Sequence, residues 1–184
     1  MVARVVSKGL LLVWWGRPNL PKLSGAACLC LSSVRVLTCY NYEMPLVSIT
    51  RLRLRFWRFL PMFAWYALRS ARQAARAEGN LAAKLLREQR NTFWTITLWT
   101  GEATLKQFMT AGAHGKAMRR LVEWCDEAAV VHWTQDNAAS PSWPEAYQHL
   151  QKDGRRSKVN HPSAGHLAYQ FPPPQVGRGE LTFK

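Results

Sequence analysis

The spacing of apolar residues changes at Phe56, and the two spacings predict two different elements. Residues 46–55 alternate between apolar and polar positions, which is typical of a half-buried strand. After Phe56 the apolar residues recur every three or four positions up to Ala74, which predicts an amphipathic helix. Pro61 suits the first turn of such a helix, and Gly79 suits its C-terminal end.

Three further strands and a second helix follow this first pair of elements. Residues 81–90 are the least clear segment, because their Ala and Leu content suits a helix as well as a strand, and only the surrounding topology favours a strand. Residues 93–99 are aromatic and β-branched throughout and predict the clearest strand of the chain. Thr100 is the expected N-cap of the second helix, and residues 129–134 are the expected last strand.

The second helix contains an interruption between two apolar stretches. Gly112 and Gly115 lie close together there, and two glycines inside a helix would cost about 2 kcal/mol relative to alanine. We therefore expect a break or wide turn that splits the helix in two. The apolar positions on either side of the break are Leu105, Phe108, Met109, Ala117, Leu121, Cys125 and Ala128.

The element order β-α-β-β-α-β predicts an α+β domain of the ferredoxin-like type over residues 44–135, with both helices on one face of the sheet. Residues 136–184 are rich in Pro and Gly, which predicts an irregular C-terminal tail with a short helix at 143–152. Residues 1–43 are expected to form a separate N-terminal extension. Its origin stays open between a poorly ordered extension, a secretory signal, and a translated region upstream of a true start at Met44.

Composition narrows the class of protein without deciding the function. The chain has 184 residues, which suits one domain with appendages. Its net charge of +14 attracts nucleic acid, acidic lipid or carboxylate ligands. The alternative is that the charge comes only from arginines scattered over the surface. The four cysteines have neither zinc-site spacing nor a disulfide pattern, so we expect a reduced, cytoplasmic protein and no metal site. No run of residues approaches the roughly 18 apolar positions that span a bilayer.

The alternation along the strands predicts a polar sheet face opposite the helices. If Trp94, Ile96 and Leu98 pack under the helices, their neighbours on the same strand point to the other side, where His132 joins them. The arginine side of the first strand should also face away, because arginines under the helices would be unpaired buried charges. This face could be a polar ligand pocket or a docking surface for anions. The alternative is that Arg53 and Arg55 lie in solvent past the sheet edge. The predicted substrate-pocket residues are Arg51, Thr95, Thr97 and Trp99.

Two histidines are the candidate catalytic residues. His114 lies beside the glycines of the helix break, where a ligand has room to approach, and an imidazole suits proton transfer or metal ligation near neutral pH. His132 lies in the last predicted strand. A hydrogen-bonded structural role is the alternative for each of them. Motifs of serine hydrolases, P-loop proteins, dinucleotide-binding proteins and zinc hydrolases are absent from the sequence.

Several runs of residues resemble spheroidene-monooxygenase-like proteins and antibiotic-biosynthesis-monooxygenase domains. The runs lie at residues 56–62, 71–72, 79, 84–86, 93–99, 102–103, 108–109 and 112–118. Both groups are part of the dimeric α/β-barrel superfamily, and the chain is most similar to one of its bacterial families of unknown function. The resemblance implies a homodimer that covers the open sheet face and a pocket between sheet and helices. It also implies haem-dependent oxygenation in some relatives, with His114 as the candidate haem ligand, whereas other relatives use no cofactor.

Three functions remain in competition at this point. The first is a small cytoplasmic enzyme of the monooxygenase-like type that oxidises an apolar or aromatic small molecule. The second is a basic module that binds RNA or another anion, because RNA-recognition domains share the βαββαβ topology, although their third-strand signature is missing here. The third is a non-catalytic scaffold that presents a stripe of residues to an acidic partner or a membrane surface. That stripe consists of Trp65, Arg69, Arg72 and Arg76.

Overall fold

A computed structural model describes residues 26–29, 38–41, 44–177 and 179–183. The chain divides into two compact units, Met1–Glu43 and Met44–Lys184. In the first unit, strands β1 (Ala26–Leu29) and β2 (Thr38–Asn41) pair in antiparallel fashion. Most of the predicted extension over residues 1–43 lies outside the described residues, so its three possible origins remain predictions.

The second unit contains a mixture of strands and helices that follows the predicted order. A short 3-10 turn at Trp57–Phe59 precedes the first helix. The elements are β3 (Leu46–Leu54), α1 (Leu60–Arg76), β4 (Asn80–Arg87), β5 (Thr92–Trp99), α2 (Glu102–Thr110), α3 (Gly112–Trp124), β6 (Cys125–Thr134), α4 (Trp143–Asp153), β7 (Arg155–Arg156), α5 (Ala164–Ala168) and β8 (Glu180–Phe183).

The strand order confirms the ferredoxin-like fold. The sheet runs β7-β6-β3-β5-β4-β8, and all neighbouring strands are antiparallel. Its four central strands, β6-β3-β5-β4, have the order expected when a βαββαβ chain places its first and third strands in the middle. Helices α1 and α3 pack beside each other over one face of this sheet. The α+β class predicted from the sequence is therefore confirmed.

Local signals in the sequence account for most element ends. Pro61 lies in the first turn of α1, where its missing N–H costs nothing, and Gly79 follows the helix with φ +76°. The uncertain segment after Gly79 is a strand, β4. The predicted break falls at Ala111, between α2 and α3, and Gly112 begins α3 with φ +56°.

Two boundary predictions were wrong. The N-cap of α2 is Gly101 and not Thr100. Strand β6 begins at Cys125, so Cys125 and Ala128 are strand residues and not the end of the second helix. Both positions are fully or almost fully buried under the helices. The pairing of β3 with β6 shifts register at this point, which puts two residues spaced three apart on one face, as a helix also does.

The sheet carries a hydrophobic core on each face. Under the helices, Leu52 and Phe93 of the sheet pack with Phe63 of α1 and Leu121 of α3. On the opposite face, a second group of strand residues packs against α4 and the C-terminal segment. This group contains Val47, Ile49, Leu86, Trp94, Ile96, Leu98, Ala129 and Val131, together with Trp143, Ala146, Leu150 and Phe171.

The predicted orientation of β5 was therefore wrong. Trp94, Ile96 and Leu98 face away from α1, α2 and α3, and the alternate positions Thr95 and Thr97 face them. Thr95 and Thr97 make one side of β5 more polar than the other, but that side lies under the helices and lines a cavity there. Its polarity therefore does not mark the side that faces away from the helices. The face predicted to be open is covered by α4 and by Phe171, both from the same chain.

The helices of the described ranges are too short or too polar to cross a membrane.

Candidate functional site

A cavity of about 560 Å³ lies between the sheet and helices α1, α2 and α3. Many of the side chains that line it are small, on the sheet as well as on the helices. Ser48, Thr50, Thr95 and Thr97 form its floor on the sheet. Its walls are mostly apolar and include Ala67, Ala71, Ala74, Leu105, Phe108, Met109, Ala117, Met118 and Leu121.

His132 enters the cavity from the sheet. It lies in β6 directly opposite Ser48 of β3, which also lines the cavity. Its Nε2 atom is buried and has no hydrogen-bond partner among the described residues, and the same holds for the hydroxyl of Ser70 on α1. Burial lowers the pKa of His132, and the nearby positive charge of Arg155 lowers it further, while Glu102 opposes the shift. The cavity thus contains polar atoms that a bound molecule could satisfy.

His114 enters the cavity from the helix layer, at the start of α3. Its Nδ1 lies 3.1 Å from the carbonyl oxygen of Met109, and its ring lies 4.4 Å from the ring of Phe108, centroid to centroid. Burial lowers its pKa, although the Met109 carbonyl opposes the shift. The imidazole is therefore neutral near pH 7. A carbonyl oxygen only accepts, so Nδ1 carries the proton and Nε2 keeps its lone pair.

Gln73 of α1 holds the helix turn that carries His114. Its Oε1 accepts hydrogen bonds from the backbone N–H groups of Ala113 (2.8 Å) and His114 (3.2 Å). Its Nε2 donates to the carbonyl oxygen of Ala111 at 3.1 Å. One side chain thereby caps the N-terminus of α3 from a neighbouring helix, which the sequence did not predict. The only signal was a lone Gln amid the Ala and Arg residues of α1.

The structure brings four of the six predicted site residues together in this cavity. His114, His132, Thr95 and Thr97 all line it. Trp99 is fully buried on the same face of the sheet, but packs against Phe108, with ring centroids 4.9 Å apart, and contributes to the core instead.

The prediction that Arg51 shares a face with Thr95 and His132 was wrong. Arg51 lies opposite Trp94 in the sheet, on the face away from the cavity, and is 1% exposed. Its Nη1 lies 2.5 Å from Oε2 of Glu127. The arginines of β3 do lie away from the helices, as the cost of unpaired buried charge predicts, but Arg51 is buried on the other face and is paired there. A neighbouring strand supplies the partner carboxylate.

The chain belongs to the family described as Domain of unknown function (DUF3291), whose sequence profile matches residues 62–176. That match includes most of α1, all of α2, α3 and α4, and both histidines of the cavity. No curated protein matches the chain.

Several solved structures are similar to about half of the chain. SnoaB, a cofactor-independent oxygenase from Streptomyces nogalater, is 19% identical, with 51% of this chain and 95% of that chain covered and a TM-score of 0.41. A protein of unknown function from Nitrosomonas europaea is 15% identical, with 55% and 98% covered and a TM-score of 0.46. A conserved protein from Methanosarcina mazei is 12% identical, with 51% and 95% covered and a TM-score of 0.46.

Proposed function

We propose that the cavity under α1, α2 and α3 binds an apolar or aromatic small molecule, and that the protein is a monooxygenase-like enzyme acting on it. The observation that carries the proposal is the cavity itself, about 560 Å³ in volume. Small-molecule sites typically have volumes of roughly 300–1,000 Å³, apolar walls and a few polar groups. The polar groups here include His114, His132, Ser70 and the four hydroxyls of the sheet floor. Basic side chains also line the cavity, namely Lys84, Arg155, Arg156 and Lys158.

The two histidines are proposed to move protons. Burial lowers the pKa of both imidazoles, so each is neutral near pH 7 and has a nitrogen lone pair free to accept a proton. Removing a proton from a C–H or O–H group of an aromatic molecule makes it easier to oxidise. In a version without a cofactor, dioxygen oxidises a substrate CH₂ group to C=O and water, with all electrons coming from the substrate.

Haem is the cofactor that the sequence resemblance implies for some relatives. His114 has the chemistry of a haem ligand, because its Nδ1 is held by the Met109 carbonyl and its Nε2 is left for a metal, as in many metal-binding histidines. Bound haem would supply oxygen activation. An absorbance spectrum of the freshly purified protein, with and without added haem, distinguishes the haem version from the cofactor-free version. The haem version predicts a Soret band that is lost in His114→Ala. The cofactor-free version predicts no Soret band.

Binding is tested with the neutral apolar fluorophore N-phenyl-1-naphthylamine. Ala71 lines the cavity, so Ala71→Phe should fill part of it and abolish saturable binding. The matched control is Ala64→Phe, on the same helix but on its exposed side. Equal binding by the protein and both variants would overturn the proposed site.

Catalysis is tested separately from binding. A panel of phenols that have a ring CH₂ group in their keto form is supplied while dioxygen consumption is followed, and the rate without protein is subtracted. We expect His114→Gln and His132→Gln to keep the fluorophore and lose oxygen consumption. If the unchanged protein binds the fluorophore but consumes no oxygen, it is a ligand carrier, and the proposed enzymatic activity is contradicted.

A cytoplasmic location belongs to the same proposal, and cell fractionation tests it.

The alternative of RNA binding through the sheet is not supported by the arrangement of the chain. The sheet face that an RNA-recognition domain would use is buried under α4 and Phe171.

The same covering occupies the sheet face through which the resemblance implies that a homodimer forms. A dimer is still proposed, but it has to form through a different surface, and sedimentation velocity measures whether it forms.

A further inference from the structure

The outer side of α1 and the turn before it expose an unusual set of large apolar side chains. Trp57 is 78% exposed, and Trp65 is 50% exposed. We call this surface the α1 outer face. Its apolar members are Phe56, Trp57, Met62, Trp65 and Leu68, all within 13 residues of each other. A cluster of large exposed apolar side chains of this kind marks an interaction site more often than a single exposed one does.

Arginines are interleaved with these apolar side chains. The guanidinium of Arg58 lies 4.6 Å from the ring centroid of Phe56, and that of Arg69 lies 4.6 Å from the ring centroid of Trp65. Arg72 is exposed one helical turn beyond Leu68. Among the described residues, none of these three arginines forms an ion pair. Their charges are therefore available to a partner.

The α1 outer face has no negative charge of its own. Residues 44–77 contain seven arginines and no Asp or Glu. The first acidic residue after this stretch is Glu78, beyond the C-terminal end of α1. The partner must therefore supply negative charge to the arginines and accept apolar side chains between them.

We propose that the α1 outer face docks on a membrane surface that contains anionic lipid. Tryptophan rings favour the boundary between lipid headgroups and acyl chains, and arginine side chains bind lipid phosphates at the same depth. Each basic residue near such a surface contributes about 1 kcal/mol of attraction. The apolar side chains of the face then reach the acyl-chain boundary, and the arginines reach the lipid phosphates.

A second copy of this chain fits the face less well. A symmetric dimer places the same patch of both subunits in contact, so the arginines of one copy would meet the arginines of the other. No acidic residue within 44–77 could offset that repulsion. A lipid surface has the opposite charge and imposes no such conflict.

The test is sedimentation of the full-length protein with vesicles. We expect binding to phosphatidylcholine vesicles that contain phosphatidylglycerol, and much weaker binding to pure phosphatidylcholine vesicles. Arg58→Glu with Arg69→Glu should weaken binding by about thirtyfold or more. Trp57→Ser with Trp65→Ser should weaken it by at least about tenfold, because the apolar side chains no longer enter the membrane.

The matched control is Arg87→Glu with Lys152→Glu, which changes the net charge equally at exposed positions on β4 and α4. It should bind within about threefold of the unchanged protein. An equal loss in the control would mean that total charge drives binding and would overturn the docking face. Unchanged binding in either variant of the face, or no binding to anionic vesicles at all, would also overturn the docking face. A shift from dimer to monomer when the face is changed, measured by sedimentation velocity without vesicles, would overturn it as well. All these substitutions are at exposed positions, and circular dichroism checks that each variant folds.

Discussion

Nη1 of Arg51 lies 2.5 Å from Oε2 of Glu127, and both side chains are almost fully buried. The other carboxylate oxygen of Glu127 accepts a hydrogen bond from the hydroxyl of Ser163 at 2.9 Å and pairs with Arg53 at 2.8 Å. The Arg51 guanidinium also lies 4.6 Å from the ring of Phe171. One carboxylate therefore joins β3 and β6 to the C-terminal segment that covers the second sheet face.

Removing this carboxylate should destabilise the fold strongly. Glu127→Ala leaves the buried Arg51 charge without its partner, and breaking a buried pair in this way costs about 3–5 kcal/mol. The free energy of unfolding from urea denaturation measures the loss. Asp153→Ala, at an exposed position of α4, should change it by no more than about 0.5 kcal/mol.

The double variant Arg51→Met with Glu127→Leu is the informative companion. It removes both charges and leaves none unpaired, so it should lose much less stability than Glu127→Ala alone. An equal loss in the two variants would mean that the ion pair is not the cause.

Replacing Gln73 should loosen the turn that carries His114. Gln73→Ala removes the acceptor of two backbone N–H groups at the start of α3, and loss of such a cap costs about 1 kcal/mol. Gln73→Glu keeps the acceptor at the helix N-terminus but loses the Nε2 donor to the Ala111 carbonyl, so it should recover only part of the stability that Gln73→Ala loses. Urea denaturation compares the two. A Gln73→Glu variant as unstable as Gln73→Ala would contradict the capping role.

The stability of the protein should fall as the pH decreases below 6.5. The pKa of His114 and of His132 is lowered from 6.5 in the folded state, chiefly by burial, whereas in the unfolded chain both keep the ordinary value. The unfolded chain therefore binds more protons just below pH 6.5, and acid favours it until the folded-state pKa values are passed. Well above pH 6.5 both states are neutral at these sites and the effect vanishes.

The measurement is the urea midpoint across this pH range. His114→Gln with His132→Gln should show a shallower fall than the unchanged protein. A smaller fall should remain, because burial also lowers the pKa of His166. Identical pH profiles for the protein and the variant would contradict the assignment.

Cys125 should be unreactive in the folded protein. It is fully buried, and burial together with the Asp126 charge raises the pKa of its thiol to about 12. A thiol of this kind supplies almost no thiolate. In a chain with Cys28, Cys30 and Cys39 changed to Ser, iodoacetamide should label nothing in buffer and label Cys125 fully in urea. Labelling at equal rates in both conditions would contradict the burial.

The candidate site could be predicted from the sequence only in part. His114 and His132 were selected because imidazole chemistry and a glycine break are visible in the residues themselves. Their meeting in one cavity depends on the orientation of the strands, and the more polar side of β5, with Thr95 and Thr97, lies under the helices instead of away from them. Gln73 could not be recognised, because its partners are backbone groups about 40 residues away.

The sequence by itself determined the order of the elements, the ends of α1, the split between α2 and α3, and the side of β3 that packs under the helices. These depend on periodicity, on Gly and Pro, and on the cost of burying unpaired charge, all of which act locally. Only the tertiary structure decided that α4 and Phe171 cover the second sheet face and that Glu127 makes a buried Arg51 acceptable. Those outcomes depend on contacts between residues far apart in the chain, which local patterns do not encode.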